Sequence, residues 1–210
     1  MTSRTTRLET IGSAAAGIAH DINNQLMLIL NYLETTDVKS ARAATDRCAA
    51  LTSSLLSYSR GEAPVLRRVH VGRFLSDFVE TLRLPATVRL RLEVRIPGAQ
   101  IQANRLELTR ALMNLALNAC EAMRGAGELR IIATDRTIEV KDSGPGIAPE
   151  HAKRLFEPFF STKGAKGTGL GLAIVRDIMR QHGGRVTVES APGEGAHFIL
   201  QFRPVVSEAD

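Results

Sequence analysis

The chain has 210 residues, a length that corresponds to one or two domains. Hydrophobic residues make up 44% of it, which is ordinary for a globular protein, whereas intrinsic disorder requires fewer apolar residues and more net charge. The formal net charge is +5, but the arginines are scattered, and there are two tyrosines, seven phenylalanines and no tryptophan. This composition provides no stacking platform for nucleic acid, so we expect the basic surface to suit an acidic protein partner or a nucleotide.

Cysteines and apolar runs indicate the compartment. Cys48 and Cys120 lie in helix-like stretches without a metal-ligand partner at a useful spacing, so we expect small buried residues in a reducing cytosol. The longest apolar run, near Leu26–Leu30, is far shorter than the roughly 18–20 residues that span a bilayer. The N-terminus does not resemble a signal peptide. We therefore expect a cytoplasmic chain with no membrane segment, an expectation that leaves room for one in a longer parent protein.

Two helical segments come first, from about Thr6 to Thr35 and from about Val38 to Arg60. Apolar residues recur at heptad spacing in both, and such seams predict a helical hairpin. Two helices alone bury little apolar surface, so we expect a homodimer in which two hairpins form a four-helix bundle. The pattern ends at Gly61–Pro64, where glycine and proline mark a linker. The first predicted domain is therefore residues 1–62.

Helices and strands alternate in the second predicted domain, residues 66–205. Their order predicts an α/β sandwich, in which helices pack on one face of one sheet, so the chain as a whole is of the α+β class. The predicted helices are Val71–Leu84, Asn104–Met123, Glu150–Leu155 and Gly169–His182. The predicted strands are Val88–Ile96, Glu128–Thr134, Thr137–Lys141, Arg185–Ser190 and Ala196–Phe202.

Glycine is concentrated in one stretch of this second domain. The run GTGLG at Gly167–Gly171 leads directly into a predicted helix, whose free N–H groups attract phosphate, and Lys163 and Lys166 add positive charge. The run matches neither a Walker A loop nor the dinucleotide fingerprint GxGxxG. A plain flexible linker is the alternative interpretation. The glycines of this stretch are Gly144, Gly146, Gly164, Gly167, Gly169 and Gly171.

Two further polar elements accompany the glycines. Asp142–Gly146 reads DSGPG and follows an alternating strand, so Asp142 could present its carboxylate to an amine such as that of adenine, although these residues also favour an ordinary turn. Asn114 and Asn118 are four residues apart on one face of a predicted helix. An asparagine oxygen is a suitable Mg²⁺ ligand beside phosphate oxygens and water. Amides on a solvated helix face are the alternative.

Taken in order, these elements resemble the N, G1, F and G2 boxes of the GHKL nucleotide-binding fold, with FEPFF at Phe156–Phe160 resembling the F box. The resemblance covers about Arg67 to Pro204 and implies that the domain binds ATP and Mg²⁺, with Asn118 as the metal ligand. The residues that match the nucleotide-binding boxes are Asn114, Asn118, Asp142, Gly144, Gly146, Lys163, Gly167, Thr168, Gly169, Leu170 and Gly171.

His20 is the candidate phosphoryl acceptor. The heptad assignment directs it away from the apolar seam, so a core histidine is disfavoured and a surface histidine is the plain alternative. His20–Asn24 reads HDINN and resembles the H box of dimerising histidine kinases, especially the nitrogen-regulation type, except that Gln25 stands where that pattern has proline. Asp21 adjoins the histidine and could orient its ring or accept its proton.

The two resemblances together imply the catalytic core of a two-component sensor histidine kinase. Such an enzyme autophosphorylates its histidine, here His20, and passes the phosphoryl group to an aspartate on a response-regulator receiver domain. The resemblance also implies a possible phosphatase role, in which Asn24 positions a water molecule.

Two other functions are alternatives to this one. A phosphotransfer or docking module would keep the hairpin without binding ATP, but the intact nucleotide boxes disfavour it. A GHKL ATPase would need a glutamate at the position of Asn114 to activate water, and an amide cannot act as a general base. We therefore expect a protein-histidine kinase.

Overall fold

The computed structural model describes residues 26, 27, 29–34, 45, 64–158, 160–162 and 169–204. The chain divides into two units, residues 1–62 and residues 63–210. His20, Asp21 and Asn24 lie outside the described residues, as does most of the predicted hairpin, so the four-helix bundle stays a prediction. In the described ranges, no helix is long and apolar enough to cross a membrane.

The described part of the first unit is helical and shows two kinds of apolar position. Ile29 and Tyr32, which the heptad assigns to the seam, are half-buried, whereas Leu26, Leu30 and Leu33 are exposed. Because the three leucines follow an i, i+4, i+7 spacing, they form one stripe on the helix surface.

A five-stranded mixed sheet is the centre of the second unit. The strands are β2 at Val88–Val94, β4 at Gly127–Ala133, β5 at Thr137–Asp142, β6 at Arg185–Ser190 and β7 at Ala196–Gln201. Their order in the sheet is β2–β4–β5–β7–β6; β2 runs parallel to β4, and the other neighbours are antiparallel. The register aligns buried residues of β4, β5 and β7 on one face, such as Ile131 with Val140 and Val140 with Phe198.

Four helices belong to the same unit: α1 at Val71–Thr81, α2 at Arg105–Ala122, α3 at Pro149–Ala152 and α4 at Gly171–Gln181. Asn104 caps α2, because its side-chain oxygen accepts hydrogen bonds from the backbone N–H groups of Leu106 and Glu107. The apolar faces of α1, α2 and α4 join the buried face of the sheet in one core. The predicted α/β domain is therefore confirmed.

The prediction of one sheet was wrong in one respect. Strands β1 at Arg67–His70 and β3 at Gln100–Ala103 form a separate two-stranded antiparallel sheet that the sequence did not predict. Each has only four residues: β1 buries one side chain, Val69, and the alternation of β3 is too short to indicate a strand. The other differences are at element ends: α3 is a single turn, and α4 begins at Gly171 instead of Gly169.

Candidate nucleotide site

Asp142 is the last residue of β5 and is a buried polar residue, with 5% of its surface exposed. Its Oδ1 accepts hydrogen bonds from the backbone N–H groups of Gly144, at 2.8 Å, and Ala196, at 3.2 Å. Burial raises the pKa of this carboxyl above its ordinary value, and the two backbone hydrogen bonds oppose that shift. Within the described part of the chain, Oδ2 takes no hydrogen bond, so one carboxylate oxygen remains for a ligand.

The loop after Asp142 packs tightly against the turn between β6 and β7. The Gly193 N–H donates a 2.7 Å hydrogen bond to the Pro145 carbonyl. Gly146 has a φ of +76°, and a Cβ at this position would overlap the Ala191 carbonyl oxygen. Glycine is therefore required at 146 for both its conformation and its contact.

Asn114 and Asn118 meet the start of α4. A Cβ added at Gly171 would lie 3.1 Å from Asn114 Oδ1 and 3.5 Å from Asn118 Nδ2. The first residue of α4 thus lies against both amides, and a glycine there leaves room beside them. The helix begins with N–H groups that have no partner within the helix, which is the usual basis of phosphate binding at a helix N-terminus.

The helix that carries both asparagines, α2, also approaches the loop after Asp142. A Cβ at Gly144 would lie 3.4 Å from Cβ of Ala122, at the end of α2. Asn114 and Asn118 therefore lie along α2, and Asp142 lies near the C-terminal end of the same helix. The structure brings together three of the polar residues that the sequence predicted as a site.

The remaining predicted site residues divide into two groups. Gly169 has a φ of +64°, and the Leu170 carbonyl accepts the Ile174 N–H, so both form the entry to α4. Lys163, Gly167 and Thr168 lie outside the described residues.

The F box is described in part. The Phe160 ring lies 4.5 Å from the Arg154 guanidinium carbon and 5.8 Å, between centroids, from the His151 ring. These contacts join the end of the F box to the region of α3.

Sequence reasoning missed two residues that support the site. Gly195 has a φ of +76°, and a Cβ there would overlap the carbonyl oxygen of Asp142, so the β6–β7 turn needs a glycine next to the carboxylate. Ser190 Oγ accepts the Ile147 N–H at 2.9 Å and donates to the Gly195 carbonyl at 2.5 Å, and so holds the loop to the turn. The sequence APGEG at Ala191–Gly195 signalled a turn, but nothing in it indicated the distant loop that it contacts.

Few protein groups are available here to hold a metal ion. The residues that the structure describes contain no cluster of three or more histidine, cysteine or acidic side chains that could hold a metal. This donor set fits Mg²⁺ with phosphate, because Mg²⁺ is usually bound by one or two protein oxygens, with substrate phosphates and waters completing its shell. Asn118, beside the helix N-terminus, is a suitable protein ligand.

Comparison with known families decides the assignment. Residues 85–205 match the family model described as Histidine kinase-, DNA gyrase B-, and HSP90-like ATPase. The chain belongs to this ATPase family. The match contains each nucleotide-box residue that the sequence singled out, from Asn114 to Gly171.

Relatives of this ATPase-family chain are named as kinases. The sensor histidine kinase ZraS of Salmonella typhimurium (strain LT2) is 34% identical to this chain over an alignment of 227 residues, gaps included. The alignment covers 99% of this chain and 49% of the relative. The chain thus spans about half the length of this curated relative.

Solved structures show the same similarity. The catalytic domain of the histidine kinase ThkA is 30% identical, with a TM-score of 0.56 over 65% of this chain and 96% of that domain. ThkA in complex with the response regulator protein TrrA is 25% identical, with a TM-score of 0.72 over 97% of this chain and 65% of that one.

Proposed function

We propose that this chain is the catalytic core of a two-component sensor histidine kinase, which uses ATP to phosphorylate its own His20 and then passes the phosphoryl group to an aspartate of a response regulator. One observation carries the proposal. Asn114 and Asn118 lie against the N-terminus of α4, and the buried carboxylate of Asp142 lies near the C-terminal end of α2, the helix that carries both asparagines. The chain also belongs to the ATPase family described above, and its relatives include named sensor histidine kinases.

In this proposal ATP is the substrate and lies beside α2. Asp142 accepts a hydrogen bond from the adenine amine, Asn118 binds Mg²⁺, and Asn114 adds a polar contact to the phosphates. Gly144 and Gly146 allow the loop after Asp142 to pack closely against α2 and the β6–β7 turn, beside the proposed adenine position. The lid over the phosphates comes from Lys163, Gly167, Thr168, Gly169, Leu170 and Gly171.

Phosphoryl transfer begins when a neutral ring nitrogen of His20 attacks the γ-phosphorus. The new N–P bond forms as the bond from this phosphorus to the β–γ bridging oxygen breaks, so that ADP is the leaving group. Asp21 orients the ring or accepts its proton. Mg²⁺, when bound, neutralises charge on the phosphate oxygens. Such reactions depend mainly on positioning and charge neutralisation, which side chains on rigid helices can provide.

The second step transfers the phosphoryl group from His20 to the aspartate of a receiver domain, and a homodimer built by residues 1–62 presents the histidine. The likeness to ThkA, a kinase solved in complex with a response regulator, supports this partner. Asn24, four residues after His20 and on the same helical face, positions a water molecule for the reverse, phosphatase reaction. The use of ATP favours the cytoplasm as the compartment.

The ATPase alternative is disfavoured by a contact of Asn114. Its Nδ2 donates a 2.9 Å hydrogen bond to the Arg110 carbonyl, and an amide in either orientation has no titratable group with which to activate water. The docking-module alternative is disfavoured by Asp142, a buried carboxylate whose Oδ2 takes no hydrogen bond from the described residues and so remains for a ligand.

The experiment is incubation of the whole chain with γ-labelled ATP and Mg²⁺, followed by measurement of acid-labile label on the protein. We expect His20→Gln to lose the label while ATP affinity stays unchanged, and Asn118→Ala to lose it because Mg²⁺-dependent ATP binding weakens. His70→Gln, at an exposed histidine of β1, is the matched control and should keep full labelling.

Three outcomes would contradict the proposal. Undiminished label on His20→Gln would exclude His20 as the acceptor. Free phosphate without protein label would favour the ATPase. Failure of the unaltered chain to bind ATP would favour the docking module.

A further inference from the structure

Arg110 lies on the same stripe of α2 as the two asparagines. Arg110, Asn114 and Asn118 are spaced four residues apart, and side chains at this spacing are neighbours on a helix surface. The hydrogen bond from Asn114 Nδ2 to the Arg110 carbonyl, at 2.9 Å, ties the first two members of the stripe together. The other end of the stripe is Ala122, which contacts the loop after Asp142.

The guanidinium of Arg110 is partly buried without compensation. Its Nη2 atom is buried and has no hydrogen-bond partner in the part of the chain that the structure describes. Burial lowers the pKa of Arg110 and nearby Glu107 opposes this shift, but an arginine stays charged in either case. A buried cationic donor without a partner is unfavourable, so such groups normally face an anion or a carbonyl oxygen.

The order of residues along α2 indicates which anion it faces. The helix rises 1.5 Å per residue, so Ala122 and Arg110 are about 18 Å apart along its axis, with Asn118 and Asn114 between them. Adenine, in the proposed function, lies at Asp142 near the Ala122 end, and the Mg²⁺-bound phosphates lie at Asn118. A nucleotide that follows the helix in this direction has its terminal phosphate nearest to Arg110.

We propose that Arg110 is a phosphate-binding residue of this site and that its guanidinium pairs with the γ-phosphate of ATP. This inference rests on the proposed function and adds a residue to it. A guanidinium suits the role because its planar fork of N–H donors matches two phosphate oxygens at once. The pairing would also hold the γ-phosphate in place for attack, through the donors of the half-buried guanidinium other than Nη2.

The test compares ATP, ADP and AMP affinities by calorimetry for the whole chain and for Arg110→Gln, with Mg²⁺ present. A charge-assisted hydrogen bond contributes enough that we expect ATP affinity to fall roughly ten- to a hundredfold, ADP affinity to fall less and AMP affinity to stay unchanged. Arg110→Lys should restore part of the ATP affinity. Arg105→Gln is the matched control: Arg105 lies at the start of the same helix, is exposed and pairs with Asp77 at 2.5 Å, so all three affinities should be unchanged.

A purely structural role predicts a different pattern. Arg110→Gln would then weaken the three nucleotides equally and lower the thermal unfolding midpoint of the nucleotide-free chain, and this result would overturn the inference. An unaltered ATP-to-AMP affinity ratio in Arg110→Gln would overturn it as well, while leaving the proposed function intact. If the unaltered chain binds no ATP, the proposed function and this inference both fail.

Discussion

Asp142 is held by main-chain groups rather than by charged side chains. Two backbone N–H groups fix Oδ1, and in the described ranges Asp142 has no salt-bridge partner. A carboxylate fixed in this way keeps its orientation while its second oxygen can recognise a base. Burial raises the pKa of this carboxyl, so it becomes protonated at a higher pH than an ordinary aspartate does.

At this residue, Asp142→Asn should lower ATP affinity and reduce the preference for ATP over inosine triphosphate. The base of inosine triphosphate has a carbonyl where adenine has its amine, and an asparagine amide can donate to that carbonyl while the carboxylate cannot. Competition binding measures the ratio, and Asp135→Asn, at an exposed turn, is the control. An unchanged ratio would exclude Asp142 from base recognition.

The residues of the candidate site differ in how far the sequence alone could single them out. Asp142, Gly146 and the two asparagines were predictable, because each is of a residue type that matches a chemical role within a short motif. Arg110 and Gly195 were not, because their significance comes from contacts with residues far away in sequence. A guanidinium one turn before Asn114 reads as an ordinary exposed helix residue until the burial of its Nη2 atom is known.

At the scale of elements, α4 runs antiparallel to α2 and is fixed to it at both ends. Gly171 lies against Asn114 and Asn118, and at the other end His182 joins the two helices. The buried His182 ring accepts the Asn104 N–H on Nε2, at 2.9 Å. Its Nδ1 must therefore carry the proton, and it donates to the Ile178 carbonyl at 2.7 Å.

Replacing this ring with an apolar one should destabilise the domain. His182→Phe keeps an aromatic ring but leaves the Asn104 N–H without its acceptor, whereas the Ile178 carbonyl keeps the backbone N–H of residue 182. We therefore expect a loss of about 1–3 kcal/mol in the free energy of unfolding. Urea denaturation measures it, with His70→Phe at an exposed position as the control. Equal midpoints for the two variants would show that His182 does not join the helices.

The elements themselves were largely predictable, and the failures have physical causes. The strands of the main sheet have six or seven residues, and β2, β5 and β6 alternate in polarity over a length at which the pattern can be recognised. Strands β1 and β3 have four residues each, and they owe their existence to pairing with each other across α1 and β2. The predicted start of α4 was too early because Leu170 extends the apolar pattern of the helix, whereas Gly169, with a φ of +64°, is not helical.

At the scale of the whole molecule, the leucine stripe of the first unit indicates assembly. Leu26, Leu30 and Leu33 are 47%, 62% and 55% exposed on one side of a helix whose seam residues, Ile29 and Tyr32, are half-buried. Exposed apolar stripes of this kind usually cover an interface. A second copy of the chain is the partner that the proposed four-helix bundle requires.

Leu30→Glu should therefore convert a dimer into a monomer. A carboxylate within the proposed interface would be buried without a partner, which is strongly unfavourable. Light scattering should give about twice 22.8 kDa for the unaltered chain and the single mass for the variant. Met27→Glu, which is exposed but lies off the stripe, is the control and should stay dimeric. A monomeric unaltered chain at micromolar concentration would contradict the dimer.

The pairing order of the main sheet has a consequence for folding kinetics. Strands β4 and β5, and likewise β6 and β7, are neighbours in sequence and can form hairpins rapidly, whereas the β5–β7 pairing must close a long loop that contains α3 and α4. Asp142 and the Ala196 N–H lie at this late junction, 54 positions apart. We therefore expect the end of the site that we propose to bind adenine to be assembled among the last steps of folding, so a partly folded chain would not compete for ATP.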